Sequence, residues 1–127
     1  MNVEEAKEWL EFARRDLRRA YNNASLDDYP LAAYLLQQAV EKSLKAVIIL
    51  YGKVPPRMHN IRALIGVVKK FVEFPEELED AAKLTRYAFE VRYPDDYRPV
   101  SEEEYEDAYE VAVKVYEWAK GIVEGQS

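Results

Sequence analysis

Apolar residues recur every three or four positions along nearly the whole chain, and no stretch keeps the two-residue alternation of a half-buried strand. That period admits helices and little else. A first helix is predicted over Val3 to Asn23, with Ala6, Leu10, Ala13, Leu17, Ala20 and Ala24 on one stripe, the pattern of a bundle seam. Ser25-Leu26-Asp27-Asp28 breaks the pattern, and Asp28 reads as the N-cap of a second helix, Tyr29 to Tyr51, with Pro30 in its first turn. This helix is apolar around most of its circumference, which places it in the middle of a bundle. Gly52 stops it and Pro55-Pro56 prevents its continuation. A short third helix follows Asn60, with Ile61, Leu64, Ile65, Val68, Phe71 and Val72 as its apolar face. Pro75 opens a fourth, whose inner stripe is Leu78, Ala81, Ala82, Thr85, Ala88 and Phe89. Arg92 to Pro99 holds two prolines and reads as a loop. Ser101 and Glu104 form a capping box for a last helix, Glu102 to about Val123, buried at Tyr105, Ala108, Ala112, Val115, Ala119 and Ile122. The expected fold class is all-α, an antiparallel up-and-down four-helix bundle with one additional short helix.

The 127 residues suit one domain, 1–127, and their 49% apolar content suits an ordinary globular core. Cysteine is absent and His59 is the only histidine, so thiol chemistry, disulfides and multi-histidine metal sites within one chain are excluded. The four glycines stand apart, which excludes a P-loop or a dinucleotide-binding turn. No metal site and no cofactor is expected. The start, Met-Asn-Val-Glu-Glu-Ala-Lys, is acidic where an export signal would be basic and then apolar. The longest apolar runs, Leu31 to Leu36 and Ala46 to Tyr51, are six residues each, so a cytoplasmic protein with no membrane association is expected.

Charge is unevenly placed. Residues 1 to 70 hold 12 Lys/Arg against 8 Asp/Glu, giving +4, while residues 71 to 127 hold 6 against 16, giving −10. The acidic half argues against coating by nucleic acid, and a basic patch on the first half stays open. Arg14, Arg15, Arg18 and Arg19 share one broad helical face suited to phosphate, or simply form a solvated face interleaved with Glu11 and Asp16. Glu41, four residues before Lys45, is in the favourable order for a surface ion pair. His59 reads as a loop residue tethering a helix start, or as an acid or base. Asp95 and Asp96 read as turn residues beside a cation-site alternative. Tyr87, Tyr93, Tyr97, Tyr105 and Tyr109 gather about the last loop, fit for a binding surface, a dimer interface or core packing.

Several short motifs fall in a fixed order: Trp9-Leu10, Ala13 and Asp16-Leu17 in the first helix; Gln37-Gln38-Ala39-Val40-Glu41-Lys42 and Lys45-Ala46 in the second; Pro56 and His59; and Arg92-Tyr93-Pro94-Asp95. With these the chain resembles HEPN domains, the higher eukaryotes and prokaryotes nucleotide-binding family, over nearly its whole length. The resemblance implies a helical bundle that commonly dimerises. It also implies, from many prokaryotic members, a minimal nucleotidyltransferase partner in a toxin–antitoxin type pair. One branch of the family comprises metal-independent ribonucleases marked by an Arg, four to six residues, then a His. Here that Arg would fall at 52, 53 or 54, which are Gly52, Lys53 and Val54, so the signature is missing.

Without that imidazole, attack by a ribose 2′-hydroxyl loses its usual proton carrier, worth about 10²–10⁴ in rate, and no RNA cleavage is expected. The resemblance points to Glu41, Lys42, Lys45, His59, Arg92 and Tyr93 as a nucleotide-binding site. Lys42, Lys45 and Arg92 would hold a phosphate while Tyr93 stacks on a base. The structural alternative is that Glu41 pairs with Arg92 and pins the loop to the second helix. The function expected is therefore a non-catalytic nucleotide- or partner-binding module, a homodimer. The alternatives are a divergent ribonuclease using His59 with Arg57 or Arg92, and a purely structural helical dimer.

Overall fold

Three of the helices begin where a side chain satisfies an amide that the helix leaves open. Asp28 accepts from the Leu31 N–H, Asn60 from the Ala63 N–H and Ser101 from the Glu104 N–H. The computed structural model describes residues 1–88 and 99–125. Within them run α1 (Val3–Ala24), α2 (Tyr29–Leu50), α3 (Ile61–Val68), a 3₁₀ helix (Glu76–Tyr87) and α4 (Glu102–Glu124). Phe89, Arg92, Tyr93, Asp95, Asp96 and Tyr97, with most of the loop expected at Arg92 to Pro99, lie outside the described residues. The architecture is all-helical, a bundle with a short extra helix.

Gly52 closes α2 with φ +76°, a left-handed conformation natural to glycine. Its N–H donates to the Ile49 carbonyl at 2.9 Å and that of Lys53 to the Ile48 carbonyl at 3.3 Å, the paired bonds of a Schellman end. The Asn2 N–H donates to the Leu50 carbonyl, so α1 begins where α2 finishes and the two run antiparallel.

Among the described residues α2 is the one element in contact with all four others. Its largely apolar circumference is the cause. Leu36, Val40, Leu44, Val47, Ile48 and Leu50 are fully buried and join α1, α3, the 3₁₀ helix and α4 in one core. The expected stripes of α1 and α4 face this core, with Ile122 only half-buried because Val123 takes the inward position after Ala119.

Three expectations need correction. The fourth segment is a 3₁₀ helix, and its buried Leu78, Ala81 and Leu84 are spaced by three, the period of that helix. Bonds from Leu78 N–H to the Pro75 carbonyl and from Ala88 N–H to the Thr85 carbonyl have the same i→i+3 form. Thr85, expected to face inward, instead offers its hydroxyl oxygen to the Ile61 N–H and helps hold the start of α3. Phe71 and Val72 fall beyond α3, in the turn that follows Lys69.

Removing buried methyl groups from the centre of α2 leaves a cavity among helices fixed on every side. Leu44→Ala is expected to lower stability by about 2–5 kcal/mol in urea denaturation. Leu26→Ala, at a position 78% exposed, is expected to change it by no more than about 0.5 kcal/mol.

Candidate functional site

Asp16 falls three residues after Ala13 and four before Ala20, so the helical period turns it inward with the apolar stripe of α1. Its side chain is 4% exposed, and an ionised carboxylate so placed requires charged partners. Lys42 of α2 supplies the first, its Nζ 2.6 Å from Oδ2. Arg19 supplies the second, 3.4 Å from Oδ1.

Next to Lys42 on α2, Glu41 is 6% exposed and carries three bonds. Lys45 Nζ donates to Oε1 at 2.6 Å, Gln37 Nε2 donates to Oε2 at 3.0 Å, and His59 Nδ1 lies 3.0 Å from the same oxygen. Gln37 is fully buried and its amide is used at both ends: Nε2 also reaches the His59 carbonyl at 3.3 Å, and Oε1 accepts from Gln38 at 2.7 Å. The backbone and the ring of His59 are thus both tied to α2, one residue before the Asn60 cap of α3.

Burial pushes the Glu41 carboxyl upward, but the hydrogen bonds from Lys45, His59 and Gln37, with the Lys45 charge, outweigh it and hold the group below its ordinary value. Glu41 is therefore ionised at neutral pH, and as an acceptor it selects His59 Nδ1 as a nitrogen that carries a proton. On the surface of α1, Arg14 and Arg15 share Glu11, and the Arg14 bond above all holds that carboxyl at about 2.

Of the six expected site residues, the structure brings Glu41, Lys45 and His59 into one network. Lys42 sits beside them on Asp16. Arg92 and Tyr93 lie outside the described residues, and with them the expected Glu41–Arg92 pair. The Glu41–Lys45 pair is not a surface pair: Lys45 is only 12% exposed, because α2 is covered on the side where a surface face was expected. His59 is 54% exposed and does tether a helix start, through Glu41 and Gln37. Asp16 and Gln37 are the members that residue types alone did not assign. Asp16 had a signal in its register with Ala13 and Ala20, whereas Gln37 looked like any polar residue of a helix.

The tyrosines divide. Tyr87 donates its hydroxyl to Glu104, joining the 3₁₀ helix to α4. Tyr105 packs against Tyr29 and Tyr109, at ring separations of 5.7 and 5.9 Å, and Tyr109 meets Tyr21 at 6.3 Å. The Tyr105 hydroxyl is buried with no hydrogen-bond partner among the described residues, and burial foremost, with its tyrosine neighbours, pushes it up to about 12. Among the described residues no three His, Asp or Glu side chains converge as metal ligands, and no helix is long and apolar enough to cross a membrane.

The structural class is a helical bundle whose central helix supplies the lysines that meet two buried carboxylates, Asp16 of α1 and Glu41 of α2 itself. The HEPN domain model matches residues 6–122, and the chain belongs to the HEPN domain family. TT1696 from Thermus thermophilus is 35% identical, with a TM-score of 0.82 over 94% of this chain and 98% of that one. The archaeal HEPN homologue ST0689 is 27% identical, with a TM-score of 0.74 over 93% of this chain and 97% of that one. No curated protein matches.

The depressed Glu41 carboxyl fixes a pH dependence. A carboxylate whose folded value lies below its unfolded one adds stability above the unfolded value, about 4.3, and that stability is lost as pH falls through the folded value. Glu41→Gln is expected to lower stability at pH 7 by about 1–3 kcal/mol, by stranding Lys45, and to flatten the fall of stability below about pH 4.5. Urea denaturation across pH 3 to 7 measures both, and a slope equal to that of the wild type would contradict the assignment.

Proposed function

We propose that this HEPN-domain protein is a non-catalytic binding module whose α1–α2 face, with the approach to α3, takes the phosphates of a nucleotide. On this reading it works as a homodimer beside a minimal nucleotidyltransferase, in a toxin–antitoxin type pair. The observation that carries the proposal is the gathering of Lys42, Lys45, Arg19 and His59 about two buried carboxylates. An ammonium group has three donors. Lys42 and Lys45 each make one hydrogen bond among the described residues, so each keeps two to offer a phosphate from a position already fixed. Exposed Arg15 and Arg18 extend the basic rim along α1. The non-catalytic half of the proposal rests on the sequence: no Arg precedes the single His59 with four to six residues between them. The exposed Phe12, Tyr21 and Leu26 supply apolar surface for a second copy.

A specific observation favours a second reading, a purely structural dimer. Both lysines are neutralised by carboxylates in place, and Lys45 is largely covered.

Calorimetric titration with ATP and with a short RNA separates these readings. The expected outcome is ATP binding weakened about tenfold or more in Lys42→Ala and in Lys45→Ala, a change of about 1.4 kcal/mol, with helical circular dichroism retained. Lys42→Ala alone strands Asp16, so Asp16→Asn/Lys42→Met is titrated beside it. Absence of nucleotide binding leaves the structural reading. RNA cleavage that disappears in His59→Ala would establish the ribonuclease alternative instead. Light scattering is expected to give the mass of a dimer at micromolar concentration.

A further inference from the structure

A groove of about 440 Å³ runs between the 3₁₀ helix and α4. Its volume is within the range of binding clefts, and none of its residues belongs to the Asp16–Glu41 cluster. Leu84, Ala108 and Val111 form its apolar floor. One wall carries Glu77 and Asp80, and the other Glu104, Asp107 and Glu110.

The cations in the groove do not cancel these acids. Lys83 is held by Asp80 of its own segment and Lys114 by Glu110 of its own helix, both in exposed local pairs. Glu104 is engaged by the Tyr87 hydroxyl. Glu77 on one wall and Asp107 on the other have no ion pair among the described residues, and Arg86 is the remaining cation. Five carboxylates and three cations therefore line the groove, inside the half of the chain that carries −10.

Along α4 the lining residues run from Glu104 to Lys114 at spacings of three and four. At 1.5 Å per residue that is a trough of about 15 Å, close to three helical turns. A free polycation would gain nothing from the apolar floor, and an apolar peptide would strand the acidic walls. The ligand that satisfies both is a short amphipathic helix with an apolar ridge flanked by Lys or Arg.

We propose that the groove between the 3₁₀ helix and α4 is a docking surface for a basic amphipathic helix of a protein partner. Nucleotide binding at the α2 face is a separate property, and neither depends on the other.

The probe is a fluorescein-labelled 14-residue peptide of leucine and lysine with leucines at i, i+3, i+4 and i+7. The comparison peptide has the same composition in an order with no amphipathic face. Anisotropy titration of the full chain at 150 mM salt is expected to favour the amphipathic peptide about tenfold. Glu77→Lys/Asp107→Lys is expected to remove about tenfold of its affinity, with helical circular dichroism unchanged. Glu4→Lys/Glu8→Lys, on exposed α1 positions, is expected to leave it within about twofold. Because charge reversal alone tests only the walls, Val111→Glu is included and is expected to lose binding at the floor.

Equal affinity for the two peptides, or equal loss in both charge-reversed variants, would show non-specific attraction and overturn the proposal. So would displacement of the peptide by spermine at the peptide's own concentration, which would make the groove a polyamine site. Sedimentation equilibrium closes the remaining route: a wild-type dimer that dissociates in Glu77→Lys/Asp107→Lys would place a second copy of this chain in the groove, and the proposal would fall.

Discussion

Two carboxylates removed from water along one side of α2 impose the constraint that organises the rest of the bundle. An unpaired buried carboxylate costs several kcal/mol, so Asp16 and Glu41 are tolerable only where lysines and amides meet them at short range. Lys42 and Lys45 both come from α2, one turn apart on one face, which ties each carboxylate to that helix. Asp16 must then lie opposite Lys42, and this fixes the axial register of α1 on α2 as firmly as any pair of interlocking leucines. Glu41 acts in the other direction along the chain. By holding His59 Nδ1, with Gln37 holding the His59 carbonyl, it sets where α3 begins. Asn60 and Thr85 then satisfy the first open amides of α3, so the polar network continues into helix caps and reaches the 3₁₀ helix.

That arrangement leaves a molecule with two chemically different sides. Around α1 and α2 two acids, Asp16 and Glu41, are buried with Lys42, Lys45 and Arg19 about them, while Glu4, Glu5 and Glu8 stay exposed toward the start of α1. Around the 3₁₀ helix and α4 the acids are exposed and the cations pair with neighbours on their own segment. The split between +4 and −10 in the sequence is thereby carried into three dimensions instead of being mixed by the fold. The proposed nucleotide face and the proposed docking groove use different helices and share no side chain, so the two proposals are independent of each other.

Much of this was legible in the residues. The periods gave the four α-helices to within a residue or two, except at the end of α3, because their apolar stripes are long and their caps are Asp28, Asn60 and Ser101, side chains with one evident task each. The 3₁₀ helix was harder. Leu78, Ala81 and Ala82 fit an α-period equally well, and only Leu84, at a second step of three, separates the two. Within the site, Glu41, Lys42, Lys45 and His59 came from resemblance and from spacing on one face, but their burial did not. A polar cluster on a helix reads as a solvated face unless the elements that cover it are known, and α1 covers this one through Asp16, 26 residues away in sequence from its partner Lys42. No local pattern carries a contact of that separation. The register of Asp16 with Ala13 and Ala20 is the available signal, and the arginines on either side of it give the same stretch the look of a solvated charged face.

On the proposed reading, the pairing of the lysines also governs what kind of ligand the α2 face suits. A phosphate arriving there meets ammonium groups whose charge is already compensated by Asp16 and Glu41, so each contact resembles a partly exposed ion pair, worth about 0.2–1 kcal/mol, and not the larger gain of a bare cation. Such contacts must be summed to be useful. The extra donors of Lys42 and Lys45, with Arg19 shared on the same carboxylate and Arg15 and Arg18 further along α1, spread over a line instead of converging on a point. A chain of phosphates can engage several of them at once, whereas a single phosphate engages one or two. The geometry therefore favours nucleoside triphosphates over monophosphates, with a preference that shrinks as salt rises, because the rim is solvated and its attraction is screened over about 8–10 Å.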